Sequence, residues 1–402
     1  MKIRKYYHGK KIILALIFLE VCFLLLINMD QFKSAKAQNS NYPGSRFGHS
    51  MIFDTESNEI LLFGGILANG DHTPLPYVWR YNFINQEWRK IGPEPSPSPR
   101  FNHGMVYVAT DNIAVLYGGV NTTNHAGLSD TWIYHLQTNE WEKKNPEVSP
   151  PRGSDSTLVY DSKMHKIILF GGFRSGLLYD DLWEYDIITN NWTKVNDINN
   201  PSARYGHSLI YNNANNLTYL FGGSTSVYKN DLWKYNHSSF SWNLLSCVIK
   251  PPTRYWHRMS YIPHLNIGFL FGGSNVEVTD GVLGDTWFFN FNNSEWVKQN
   301  PESSPSSRAL FSLIFNSANN KIYLYGGIGE SYTKTWSDFW VYDFKSNQWV
   351  QIHTLSPFLK FISDYWWVLA TIATGCIATI IGITIHKKKY GRKKVSTLDD
   401  QI

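Results

Sequence analysis

Residues 167–192 read IILFGGFRSGLLYDDLWEYDIITNNW. Four apolar residues, Ile167-Ile168-Leu169-Phe170, run into Gly171-Gly172. Trp183 follows, and Trp192 stands nine residues beyond it. A short apolar run bounded by glycine suits a strand buried on both faces. The glycines permit positive φ or a close approach of another backbone. Thr189-Asn190-Asn191, between the two tryptophans, is the turn signal of a hairpin.

The stretch is one of six. Di-glycines recur at Gly64-Gly65, Gly118-Gly119, Gly171-Gly172, Gly222-Gly223, Gly272-Gly273 and Gly326-Gly327. A Trp follows each, at Trp79, Trp132, Trp183, Trp233, Trp287 and Trp340, and a second lies nine residues later, at Trp88, Trp141, Trp192, Trp242, Trp296 and Trp349. An arginine opens each unit: Arg46, Arg100, Arg152, Arg204, Arg254 and Arg308. It precedes the first glycine by 18 residues in five units and by 19 in one. A period of about 50 residues marks a repeat architecture.

The arginine-led strand, the apolar strand ending in Gly-Gly and the two Trp-bearing strands resemble the kelch repeat. The resemblance covers residues 46–352. It implies an all-β fold, a six-bladed kelch β-propeller with one four-stranded blade per unit. No blade can cover its own two faces, and packing blade on blade around a ring covers both. Two positions depart from the pattern. Two residues before the first Trp stands Asp130, Asp181, Asp231, Asp285 or Asp338, but Tyr77 in unit one. Three residues after the arginine stands His49, His103, His207 or His257, but Asp155 and Phe311 in units three and six. The units begin at a first strand and end at a fourth. The ring is therefore expected to close by side-chain packing, unless residues 38–45 add an outer strand.

The formal charge of +5 divides unevenly. Residues 46–352 hold 23 Lys+Arg and 27 Asp+Glu, a balance of −4, and the flanks carry the remaining +9. A mildly acidic propeller excludes a basic face for nucleic acid. The flanking charge reads as membrane topology. Residues 1–37 hold Lys2, Arg4, Lys5, Lys10 and Lys11, an apolar run over 12–27, and Ala35-Lys36-Ala37 as a cleavage signal. They form a signal peptide or, uncleaved, a signal anchor. Residues 38–45 are a linker. Residues 353–364 are a juxtamembrane linker, and 365–385, without a charge, are long enough for a transmembrane helix. The basic segment 386–402 stays cytoplasmic, which leaves the propeller outside the plasma membrane, single-pass, or two-pass if the leader is retained.

If the strands of a blade are A to D, the D-to-A and B-to-C connections share one face. From the second glycine to the first Trp the spacing runs 14, 13, 11, 10, 14 and 13, so length variation gathers in the B-to-C loops. Variable loops on a rigid scaffold are where binding residues usually sit. Asn-x-Ser/Thr acceptors occur at Asn121, Asn191, Asn216, Asn236 and Asn292, and only Asn121 falls on the variable face. The 12-residue linker reaches about 40 Å when extended, which favours a partner in the same membrane.

The candidate ligand-binding residues are the six opening arginines and Tyr77, Tyr179, Tyr228 and Tyr332 on the variable loops. Some kelch adaptors bind acidic peptides through arginines at the channel mouth, and the resemblance implies the same option here. An arginine present in every unit also suits a purely structural bond. The histidines do not converge as metal ligands must. No metal or cofactor is expected, and no catalytic residue is assigned. The favoured reading is a surface module that binds a protein or a glycan. The alternative is a kelch-type carbohydrate-active enzyme, resembling galactose oxidase or the kelch epimerases, for which no matching residues are found.

Overall fold

The computed structural model describes residues 42–67, 77–275, 277 and 281–352. The leader, the apolar segment 365–385 and the basic tail lie outside these residues. Among the described residues no helix is long and apolar enough to cross a membrane.

Each unit forms one antiparallel four-stranded sheet in which neighbours in sequence are neighbours in space. In blade one, strands A to D are Arg46–Asp54, Glu59–Leu67, Val78–Asn82 and Glu87–Ile91. The A strands of blades two to six are Gly104–Val108, Thr157–Asp161, Ser208–Asn212, Arg258–Ile262 and Ser312–Asn316. The result is the expected six-bladed propeller.

The apolar runs work by alternation. Successive residues of a strand point to opposite faces, so Ile60 and Leu62 pack toward blade six while Leu61 and Phe63 pack toward blade two. Six such clusters form the core, one at each joint between blades. The second Trp of every unit sits in one of them, 1–4% exposed. Burying an indole removes roughly 150–250 Å² from water, worth about 4–6 kcal/mol before entropy is charged against it.

The Gly-Gly pairs let neighbouring blades touch. Gly171 and Gly222 hold φ of 62° and 65°, and a Cβ there would lie 2.7 and 2.9 Å from the carbonyl oxygens of Arg204 and Arg254 in the next blade. The second glycine donates its N–H to that same carbonyl, at 2.9 Å in both Gly172 and Gly223.

Closure differs from the expectation. Residues 42–45 form no strand; Tyr42 packs edge-on against Tyr325, whose hydroxyl donates to Gly44 O. Blade one meets blade six through a shared apolar cluster and also through the backbone. Gly327 N–H donates to Arg46 O at 2.8 Å, and Ser312 Oγ–H to His49 O at 2.7 Å. These are the bonds of the other joints, repeated at the seam.

Candidate binding face

The opening arginines are built into the blades. Arg100, Arg204, Arg254 and Arg308 are fully buried. Each Nη1 donates to the first glycine's carbonyl of its own unit, at 2.9–3.0 Å. Each guanidinium also grips an aspartate with both nitrogens: Asp130, Asp231, Asp285 and Asp338. The same carboxylate accepts the indole N–H of the first Trp, two residues on, at 2.6–2.7 Å. This explains why Arg, Asp and Trp recur together. Burial alone would raise the carboxyls of Asp130, Asp231 and Asp285, but the arginine bonds outweigh it and hold them below their usual range.

The two irregular units break this network differently. In unit one Tyr77 replaces the aspartate. Arg46 bonds the carbonyls of Gly64 and Pro43 instead, and burial without a carboxylate pulls its pKa down to about 10. In unit three the 19-residue interval is a one-residue insertion. Gly153 occupies the arginine's place, its carbonyl accepting from Gly119 N–H as Arg204 O accepts from Gly172. Arg152 is displaced and exposed. Arg174, from strand B, replaces it, bonding Asp181 at 3.1 Å and Gly171 O at 3.3 Å. A Cβ on Gly153 would strike Arg174 Cγ at 2.4 Å, so glycine makes room for the substitute.

The insertion also moves Asp155 out of the histidine series. His49, His103, His207 and His257 lie between blades, each edge-on to an aromatic ring of its neighbour: Tyr325, Phe63, Phe170 and Phe221. Phe311 fills that place in blade six against Phe271, so the site accepts an apolar ring. No imidazole nitrogen reaches hydrogen-bonding geometry, although backbone near Tyr325, Phe170 and Phe221 slightly favours the charged form. Burial dominates and keeps all four neutral, with His103 and His207 pulled down to about 3.

Asp155 belongs instead to a collar at the channel mouth. Gly48, Asn102, Asp155, Gly206, Trp256 and Leu310 all hold φ between 51° and 66°. Each donates its N–H to the carbonyl of the member in the preceding blade, at 2.7–3.3 Å, and Gly48 donates to Leu310. Six bonds therefore run head to tail around the axis. The left-handed region disfavours Trp and Leu, and the ring of bonds holds them there. Trp256 leans across Gly206, and its indole N–H donates to Asp155 Oδ1 at 2.9 Å.

Around this collar an aromatic platform spreads over blades three to six. Tyr255 lies on Trp256, with ring centroids 4.3 Å apart, and Tyr228 stacks on Tyr255 at 5.0 Å and 13°. Tyr205 meets both Tyr255 and Trp256, and Phe173 meets Tyr205. Tyr332 stands edge-on to Trp256, its hydroxyl 3.3 Å from that of Tyr255 and bonded to Ser274. Phe173 (41%) and Tyr332 (38%) leave the platform open to solvent, and Val227, next to Tyr228 in sequence, and Leu177 are exposed as well. Phe173 and Leu177 belong to the B–C hairpin of blade three, Val227, Tyr228 and Tyr332 to B-to-C loops, and Tyr205, Tyr255 and Trp256 to the residues just before an A strand, so the variable face carries the platform.

Of the four tyrosines expected to bind, Tyr228 and Tyr332 come together here. Tyr77 lies under Lys90, 3.5 Å from its ring centroid, and Tyr179 under the Arg174 guanidinium at 4.3 Å. Tyr205, Tyr255 and Trp256 escaped the sequence reading. Their signal was Trp256 itself, a tryptophan outside both repeat positions.

One other arrangement has the order of a hydrolase relay. Thr218 Oγ1 is 3.0 Å from His237 Nε2, and Asp161 Oδ2 is 3.4 Å from His237 Nδ1. Thr218 and Asp161 are 0% and 1% exposed between blades three and four, so no substrate carbonyl can approach. It packs rather than reacts. Among the described residues no cluster of three or more His, Cys, Asp or Glu could hold a metal.

The fold and this face define a six-bladed propeller with a solvent-facing aromatic platform at one end. The model of the KLHDC2/KLHL20/DRC7 Kelch-repeats domain matches residues 20–223 and 212–360, and the chain belongs to that kelch-repeat family. It is 30% identical over 188 residues to the human multiple epidermal growth factor-like domains protein 8, covering 44% of this chain and 6% of that protein. It is 25% identical over 208 residues to Mei4-dependent protein 6 of Schizosaccharomyces pombe, covering 46% of this chain and 30% of that one. The chain thus spans a minor part of the length of these relatives. The kelch propeller supports a protein-binding module.

Proposed function

We propose that the chain is a membrane-anchored, extracytoplasmic module that captures another surface protein on its variable face. The platform carries this reading. Aromatic rings in a continuous cluster, with Phe173 and Tyr332 open to solvent and Leu177 and Val227 exposed on the same face, resemble the apolar, aromatic centre of a protein interface. A neutral glycan would stack on the same rings but has less use for the exposed Leu177 and Val227. The basic leader and the uncharged segment 365–385 with its basic tail support the surface location.

Full-length chain displayed on cells is expected to retain a hit from a surface-protein array rather than a glycan array. Tyr228→Ala and Tyr332→Ala are expected to weaken it by 10-fold or more, about 1.4 kcal/mol each. Arg152→Ala serves as a nearby surface control. Binding confined to glycans, or unchanged by both tyrosine variants, would exclude the reading.

The sequons supply a second expectation. Asn191, Asn236 and Asn292 stand at C-to-D turns and Asn216 at an A-to-B turn, on the face away from the platform. In a glycosylating host, glycopeptide mapping is expected to find sugars on that face. A sugar engineered into a B-to-C loop should abolish capture; undiminished capture would place the ligand elsewhere.

A further inference from the structure

Below the collar the channel widens into a cavity of about 160 Å³ lined by all six blades. One level of its wall is formed by Ser50, Gly104, Thr157, Ser208, Arg258 and Ser312, one residue from each A strand. Four of these carry hydroxyls, and each donates to the carbonyl of the next blade's histidine, at 2.7–3.1 Å. At blade two the residue is glycine, and Leu158 of the next blade takes its space: a Cβ there would lie 2.6 Å from Leu158 Cγ. Blade five instead sends a guanidinium into the channel.

Arg258 is enclosed by the ring, and the surface it keeps faces the channel. Its single hydrogen bond among the described residues is a long one, Nη1 to His257 O at 3.3 Å. Arg100, Arg174, Arg204, Arg254 and Arg308 are bonded to aspartates, whereas Arg46 bonds carbonyls and Arg152 is exposed. Asp155 lines the same cavity and its charge acts on Arg258, but that attraction is outweighed by burial, which pulls the guanidinium's pKa down. Asp155 makes no ion pair with Arg258, and Ser154, Trp256 and Asn102 already donate to it. The four histidines that feel the charge of Arg258 are neutral and cannot balance it. A charge enclosed by protein, open only to the channel and without a hydrogen-bonded counter-ion, favours an anion in the cavity that compensates it. Four of the guanidinium's five N–H groups remain to bind it, in the fork that suits a halide or a planar edge of a tetrahedral oxyanion.

We propose that the channel beneath the collar is a binding site for one small inorganic anion, held by the Arg258 guanidinium. The bound ion ties blade five to the axis and stabilises the closed ring. It is separate from the platform, which lies on the outer side of the collar.

The test uses the purified full chain in neutral detergent at constant ionic strength and pH 7.5. Replacing gluconate, the bulky reference anion, by chloride or by phosphate is expected to raise the unfolding temperature saturably, by several degrees. Which salt acts first tells a halide from an oxyanion. Arg258→Met removes the saturable increment while any general salt effect persists. Arg258→Lys, which keeps the charge but loses the fork, retains it at roughly tenfold higher salt. Crystals grown with bromide or selenate should show anomalous density within hydrogen-bonding distance of the Arg258 Nη atoms, a readout that needs no variant. An increment of equal size in Arg258→Met, or no saturable increment together with empty density beside Arg258, would overturn the proposal.

Discussion

Lowering the pH from 7.5 to 5.5 is expected to remove about 5 kcal/mol from the propeller's folding free energy. Four imidazoles are responsible. His49, His103, His207 and His257 are 0–5% exposed, and burial first, then neighbouring arginines, hold each far below its ordinary value. In the unfolded chain they titrate near 6.5. Below that value the unfolded state takes up protons that the folded state refuses, so stability falls with falling pH. Each histidine removes about 1.4 kcal/mol per pH unit once the pH is below 6.5, until its folded pKa is reached. The stability is fully present above pH 7 and fades through the mildly acidic range. Urea unfolding at a series of pH values measures the slope. His207→Phe, copying Phe311 of blade six, should flatten it by one proton and leave the fold intact. A slope indifferent to that change, or stability constant from pH 7.5 to 5.5, would refute the account.

The second large effect concerns the arginines. Arg204→Ala is expected to destabilise the protein by about 3–5 kcal/mol, because it strands the buried part of Asp231 and the Gly222 carbonyl. The nominally equivalent Arg152→Ala should change stability by no more than about 0.5 kcal/mol, as at other exposed sites. Arg174→Ala should behave like a milder Arg204→Ala, since Asp181 keeps Lys194 as a partner at 2.5 Å. Denaturation midpoints of the three variants rank them. A loss at Arg152 as large as that at Arg204 would mean that unit three keeps the repeat arginine after all.

That contrast also shows what could be read before the structure. The ring of blades followed from Gly-Gly and Trp spacing, because those residues have one job in every unit. The interval of 19 residues between Arg152 and Gly171 was visible as well, but an interval does not say which residue takes the vacated place. Arg174 could not be found that way: it belongs to a different strand and reaches back across the hairpin. Asp155 was misplaced by the same residue, since counting from a displaced arginine shifts everything behind it. The platform was half legible. Loop tyrosines 228 and 332 stood out by position, whereas Tyr205 and Tyr255 directly follow repeat arginines and look like part of the scaffold. Only folding turns their rings toward the loops. The collar left no trace in composition, because Gly, Asn, Asp, Trp and Leu share nothing except a backbone angle.

The seam between blades one and six has its own consequence. Five joints are crossed by the chain itself, through a D-to-A connection of 12 residues that keeps the two blades together even when their contacts break. The sixth has no such tether, and Ser312 and His49, which it joins, are 263 residues apart in sequence. Releasing it frees about 2–3 kcal/mol more chain entropy than releasing any other joint, for nearly the same bonds. The ring therefore breathes at one place, like a bracelet at its clasp. In hydrogen exchange the amides of Gly48 and Gly327 should gain deuterium before those of Gly119, Gly172 and Gly223.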